Sequence, residues 1–125
     1  MPTVMVVDDA DLARQTLVRL LRREGYDAVA AASGREALDD LSRHLPDLIL
    51  LDVAMPDLDG LELLEILHAN PQWQSIPVVM LTGVSDTHVV HRAEQLGAKE
   101  YWVKATFSLQ QMLEAVRKYT ARVGA

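Results

Sequence analysis

The chain has 125 residues, enough for one domain that buries well over half of its unfolded surface without covalent staples, and it has no cysteine, which excludes a disulfide framework and a thiolate metal site. Eighteen acids against twelve Lys and Arg give a net charge of −6, which opposes nonspecific attraction to nucleic-acid phosphates. The N-terminal run Met-Pro-Thr-Val-Met-Val-Val has no basic segment before it and falls far short of the ~18 apolar residues of a membrane span, so a cytoplasmic protein is expected, with no membrane and no direct nucleic-acid partner.

The first predicted strand, Thr3 to Val7, is apolar without alternation, as suits a central strand covered on both faces, and it ends in Asp8-Asp9. A helical stripe of Ala13, Leu17, Leu20 and Leu21 follows. Arg14, Arg19, Arg22 and Arg23 lie on the same helix and read as a solvated face, and Gly25 stands where a left-handed C′ residue is wanted. The second strand, Asp27 to Ala31, is weaker and suits an edge. Ser33 with Glu36 makes a capping-box pattern before the stripe Ala37, Leu41 and Leu45.

The third strand, Leu48 to Leu51, is wholly apolar and ends in Asp52; Leu63, Leu64 and Leu67 form the next stripe. Trp73, between Pro71 and Pro77, is expected to anchor a connecting loop. A fourth strand over residues 78–81 ends in Thr82-Gly83 and leads to the stripe Val89, Ala93 and Leu96, with Gly97 at its C-terminus. His88 and His91 sit three apart on this helix and, lacking a third ligand, read as surface residues. Strand five, Glu100 to Val103, is again weak, with Tyr101 and Trp102 on opposite faces and Lys104 at its end. Ser108 caps the last stripe, Leu109, Met112, Leu113 and Val116, and Arg122-Val123-Gly124-Ala125 reads as a tail or the start of a linker. Five alternations of strand and helix period predict an α/β fold with a parallel sheet.

In such a sheet ligands bind beyond the carboxyl ends of the strands, and parallel strands bring Asp8, Asp9, Asp52, Thr82, Gly83 and Lys104 to one edge. Each has a plain alternative: a lone Asp after a strand is usually a turn or N-cap residue, a lone Thr82 would cap the fourth helix, and a lone Lys104 would be solvated. Together they make a chemical set. Three carboxylates in one crevice repel by about 4 kcal/mol per pair at 4 Å, with an effective dielectric of 20, unless a cation sits among them. Oxygen donors alone point to Mg²⁺, which leaves one carboxylate to act as nucleophile toward a phosphoryl group. Lys104 and the Thr82 hydroxyl would add charge and a donor, and Gly83 leaves room.

Val6-Val7-Asp8-Asp9, Leu50-Leu51-Asp52-Val53-Ala54-Met55-Pro56 with Asp59-Gly60, Leu81-Thr82-Gly83, and Gly97-Ala98 followed by Tyr101 and Lys104 resemble, in order and spacing, the receiver family of bacterial response regulators. The resemblance covers essentially the whole chain, residues 1–125. It implies a doubly wound five-stranded parallel sheet of order 2-1-3-4-5 with five helices, the flavodoxin-like receiver fold. It implies that Asp52 is the phosphoacceptor, that Asp8, Asp9, Asp52 and the Ala54 carbonyl hold Mg²⁺, that Lys104 pairs with the phosphoryl group, and that Thr82 and Tyr101 are the switch residues. The implied role is a phosphorylation-dependent switch in a two-component phosphorelay. It would be served by a sensor histidine kinase or phosphotransfer protein and read by an effector or a second copy at helix 4, strand 5 and helix 5. It implies a regulatory phosphoacceptor domain, not an enzyme in its own right. One departure stands out: Ala105 follows Lys104 where the family usually has a cis proline, so a trans bond is expected here.

Three other functions compete. A phosphohydrolase of the haloacid-dehalogenase type resembles Asp-x-Asp after a strand, but Ala54 holds the second position, so nothing obvious activates water against a phospho-aspartate. A flavodoxin-like nucleotide binder would cradle phosphate with backbone donors, where this chain has acids. A degenerate receiver that binds partners without phosphorylation is disfavoured by the intact acids, Thr82 and Lys104.

Overall fold

Aliphatic runs too short for helices and apolar on both faces build the middle of the sheet. In the computed structural model, which describes residues 1–121, these are β1 (Thr3–Val7), β3 (Leu48–Leu51) and β4 (Val78–Thr82), almost every residue of them buried. The weaker strands β2 (Asp27–Ala31) and β5 (Glu100–Val103) take the edges. Order β2-β1-β3-β4-β5 and four parallel pairings match the expectation. The register aligns Val7 with both Ala31 and Leu51, and Thr82 with Val103, so the strand ends form one rim.

Among the described residues five helices cover the sheet: α1 (Asp11–Arg23), α2 (Gly34–Leu41), α3 (Gly60–Ala69), α4 (Thr87–Gln95) and α5 (Leu109–Thr120). Because side chains alternate along each strand, two cores form. Met5, Val7, Ile49, Leu51 and Met80 pack with Leu63, Leu64, Leu67 and Ala93 on one side; Val4, Val6, Leu48, Leu50, Val79 and Leu81 pack with Leu17, Leu21, Met112 and Val116 on the other. Each such buried aliphatic contributes roughly 1.5–3 kcal/mol over its exposed state.

The local signals are mostly realised. Gly25 and Gly97 adopt φ of +91° and +92° as left-handed helix terminators. Ser33 accepts from the Glu36 amide, and Ser108 and Gln111 close a reciprocal box at α5. Trp73 packs against the first core from its loop, and Trp102 faces the second, stacked on Phe107 at 6.2 Å and 9°. Three expectations change. β4 runs one residue further, through Thr82. Leu45 leaves the α2 stripe and is 58% exposed: the helix ends at Leu41, and Pro46 disfavours helical backbone at the residue before it. Leu109 opens α5 half exposed, and Met112 is the first of that stripe to reach the core. Residues 122–125, read as a tail or linker, lie outside the described residues.

Candidate functional site

The ladder continues past the strands and sets the acids side by side. Asp8 donates its amide to the Ala31 carbonyl at 3.1 Å, and Asp52 donates its amide to the Val7 carbonyl at 2.9 Å. Asp8 also does what a lone Asp would do, accepting from the Ala10 amide at 2.9 Å to close a turn into α1. Carboxylate oxygens of Asp8, Asp9 and Asp52 lie within 4.8 Å of one another, with Asp8 and Asp52 buried and Asp9 exposed. Oxygen donors of this charge and spacing fit a hard divalent ion such as Mg²⁺.

Backbone packing holds Asp52. A Cβ on Gly60 would fall 2.1 Å from the Asp52 carbonyl oxygen and 2.7 Å from Val53 Cα, so only glycine lets the start of α3 pass there. The Gly60 amide donates to the Val53 carbonyl at 2.9 Å, and a reciprocal box between Asp59 and Glu62 fixes the helix start. Between Val53 and Gly60, Asp57 takes φ of +65°, a left-handed conformation that aspartate tolerates better than most residues. The Ala54 amide donates to Asp52 Oδ1 at 3.3 Å.

Lys104 enters from the end of β5. Its Nζ donates to Asp8 Oδ2 at 2.6 Å and reaches Asp52 Oδ2 at 3.5 Å, so the closer partner is Asp8. The amide of Lys104 donates to the Thr82 carbonyl at 2.8 Å. Every peptide bond among the described residues is trans, Lys104–Ala105 included. The Thr82 side chain is fully buried, and its Oγ1 accepts from the Val84 amide at 3.3 Å. Tyr101 Oη donates to the carbonyl of the same Val84 at 2.6 Å. A Cβ on Gly83 would meet nothing within 4 Å, which leaves the space beside Thr82 open.

Burial pushes the Asp52 carboxyl above its usual range; the Thr82 hydroxyl opposes this, the charge of Asp8 adds to it, and Lys104 opposes it. Burial works against the charge of Lys104, but its bond to Asp8 and the fields of Asp52 and Asp8 outweigh that and hold the amine above the ordinary lysine range. Burial, then the charges of Asp52 and Asp86, raise Tyr101. A carboxylate that burial disfavours, facing a firmly charged amine, is a site short of positive charge.

Asp8, Asp9, Asp52, Thr82 and Lys104 thus meet at one rim, with Ala54 and Gly83 at its edge and Tyr101 one link away through Val84. His88 and His91 are exposed on α4, and His91 sits 3.3 Å from Gln95. Sequence reasoning missed Arg14, read there as solvated: its guanidinium donates to the Asp8 carbonyl at 2.8 Å and to Asp11 at 2.6 Å. Its place in the first turn after an acidic strand end was the available signal. The Val84 peptide carried none, because its role is backbone bonding.

Comparison with known proteins agrees with this geometry. Residues 4–117 match the family described as the response regulator receiver domain. The chain is similar to the sporulation initiation phosphotransferase F of Bacillus subtilis, 32% identical over 116 residues that cover 93% of this chain and 91% of the relative. It is likewise similar to the polar-differentiation response regulator DivK of Brucella ovis, 32% identical over 117 residues and 94% of each protein. In structure it resembles the signal receiver domain of a signal transduction histidine kinase from Syntrophus aciditrophicus, with a TM-score of 0.90, 31% identity, and coverage of 99% of this chain and 93% of that one. No helix among the described residues is long and apolar enough to cross a membrane. With the five strands, but for Thr3, and most of the five helices inside the matched span, the chain belongs to the receiver domain family of two-component response regulators, whose domains are regulatory and bind Mg²⁺ at an acidic cluster.

Proposed function

We propose that the chain, residues 1–125, is one receiver domain that takes a phosphoryl group on Asp52 from the phosphohistidine of a sensor histidine kinase or phosphotransfer protein in the cytoplasm. The observation that carries the reading is the cluster itself: three carboxylates within 4.8 Å, one of them held in place by backbone, with an ammonium group 2.6 Å from Asp8. An Asp52 carboxylate oxygen attacks phosphorus, the P–N bond breaks, and the electron pair returns to the imidazole, which then takes a proton from solvent. Mg²⁺, held by Asp8, Asp9, Asp52 and the Ala54 carbonyl, would neutralise the acids and the incoming phosphoryl charge. Lys104 is already within 3.5 Å of Asp52 and would pair with a phosphoryl oxygen, and the space beside Gly83 admits the group. Ala54 offers no general base, so the phospho-aspartate persists long enough to act as a signal.

The signal leaves along bonds present on the rim. Thr82 Oγ1 accepts from the Val84 amide and Tyr101 donates to the Val84 carbonyl, so a Thr82 hydroxyl drawn toward a phosphoryl oxygen disturbs both. That change would reach the α4, β5 and α5 face, where an effector or a second copy docks. Acetyl phosphate tests the chemistry: labelling at Asp52 by mass is expected with Mg²⁺, and none with chelator or in Asp52→Asn. Equal labelling after chelation removes the metal from the mechanism. Thr82→Ala should keep Mg²⁺ affinity within about twofold and weaken the effect of phosphorylation on self-association, as expected for a coupling residue.

A further inference from the structure

The outer side of β2 ends the sheet, and the ladder fixes what it exposes. The Asp27 amide donates to the Pro2 carbonyl and the Ala31 carbonyl accepts from Asp8, so residues 27, 29 and 31 bond toward β1 while Ala28 and Ala30 turn their peptide groups outward. Arg22 Nη2 takes the Ala28 carbonyl at 2.9 Å, and Ala30 is exposed with the other outward pair. Beside this edge α1 leaves an open groove of about 600 Å³ lined by Gln15, Val18, Arg19, Arg22, Arg23 and Ala30. In a chain of net charge −6, three arginines share one groove, and none of the three forms an ion pair among the described residues.

Arginines beside an edge strand repel a second copy, because β2 against β2 would oppose like charges. The same arrangement selects an acid. Backbone groups supply affinity in strand addition and alternate side chains supply specificity. The small side chains of Ala28 and Ala30 let another strand come close, and every second residue of that strand would project on the α1 side toward Arg19 and Arg23. We propose that the β2 edge and the α1 groove receive an extended acidic segment of a partner protein as a sixth strand.

A six-residue peptide of alternating Glu and Val, titrated into the ¹⁵N-labelled full chain, tests this. Shifts are expected to centre on residues 28–31, with slowed exchange of the Ala30 amide. The exposed double variant Arg19→Glu, Arg23→Glu should bind about tenfold or more weakly while keeping the wild-type spectrum elsewhere. A Lys-Val peptide should not bind, and the Glu-Val peptide N-methylated at alternate residues should lose most of its affinity. Equal binding of the N-methylated peptide would reduce the contact to loose charge attraction and overturn the proposal. Tighter binding of a single-stranded oligodeoxynucleotide, dimerisation through β2, shifts centred elsewhere, or no binding at millimolar peptide would also overturn it, the last leaving the arginines as guards of the edge.

Discussion

β3 and β5 are each four residues long and each ends at a charged residue of the rim, yet they are built differently. Every residue of β3 is buried between β1 and β4, and the acid that follows it is fixed by the Val7 carbonyl and by the close approach of Gly60. Every residue of β5 is half exposed, paired with β4 alone, and Lys104 reaches the acids by a flexible side chain. Under the proposed function, the buried strand would hold the acceptor still while the edge strand would carry the groups that respond. Local opening is easier at the edge, where fewer apolar contacts must be lost.

The largest expected effect attacks the fixed side. Gly60→Ala places a methyl group against backbone, 2.1 Å from the Asp52 carbonyl oxygen, so either α3 or the residues after β3 must move. A loss of about 3 kcal/mol or more is expected in urea unfolding, together with loss of Asp52 labelling. Gly83→Ala is the control, because its Cβ meets nothing within 4 Å, and it should cost under about 1 kcal/mol. Similar losses in the two variants would mean that the close approach of Gly60 does not fix the end of β3.

Next is the charge at the end of β3. Burial first, and then Asp8, raise the Asp52 pKa, so this group favours the folded state below the ordinary carboxylate range, and the benefit fades as pH rises through the raised value. Ionised Asp52 is then a cost at neutral pH. Asp52→Asn should stabilise the chelator-treated protein at pH 7 by on the order of 1 kcal/mol, with the gain shrinking on acidification and on adding Mg²⁺ to the wild type. Urea midpoints from pH 4 to 8 measure it, and a gain that grows toward acid would reverse the assigned sign.

The same contrast explains what the sequence made legible. β1, β3 and their acids stand out because a run buried on both faces must be apolar throughout, so the polarity after it marks the rim. β2 and β5 were readable as edges through their mixed composition, and Ala105 pointed to a trans bond after Lys104. Leu45 and Leu109 were not placed correctly, since periodicity continues past a helix end that Pro46 sets in one case and begins before the core is reached in the other. Arg14 looked like its exposed neighbours on α1, although its bonds to Asp8 and Asp11 bring it to the site. Lys104, expected to pair with a phosphoryl group, does reach Asp52 at 3.5 Å, but it rests closer to Asp8 at 2.6 Å, a choice of partner that spacing does not encode.

The smallest effect is on the edge side, at Tyr101. Its hydroxyl donates to the Val84 carbonyl at 2.6 Å, and Val84 is only half buried, so Tyr101→Phe leaves an acceptor that water can reach. A loss of about 0.5–1 kcal/mol is expected, well below that of Gly60→Ala. Val84 joins Tyr101 to Thr82 through its carbonyl and its amide, so a double-mutant cycle of Tyr101→Phe with Thr82→Ala should show a coupling of about 0.5 kcal/mol or more. The charge of Asp52 is also the second cause, after burial, of the raised Tyr101 pKa. Asp52→Asn should therefore lower the phenol titration followed by ultraviolet absorbance, while Thr82→Ala leaves that electrostatic link in place. With beryllofluoride as a phosphoryl mimic, shifts at residues 8, 9 and 52 should persist in Tyr101→Phe, and those at residues 84–91 should shrink. If both sets persist unchanged and the cycle shows no coupling, the edge strand does not carry the response, and the contrast between β3 and β5 is one of packing alone.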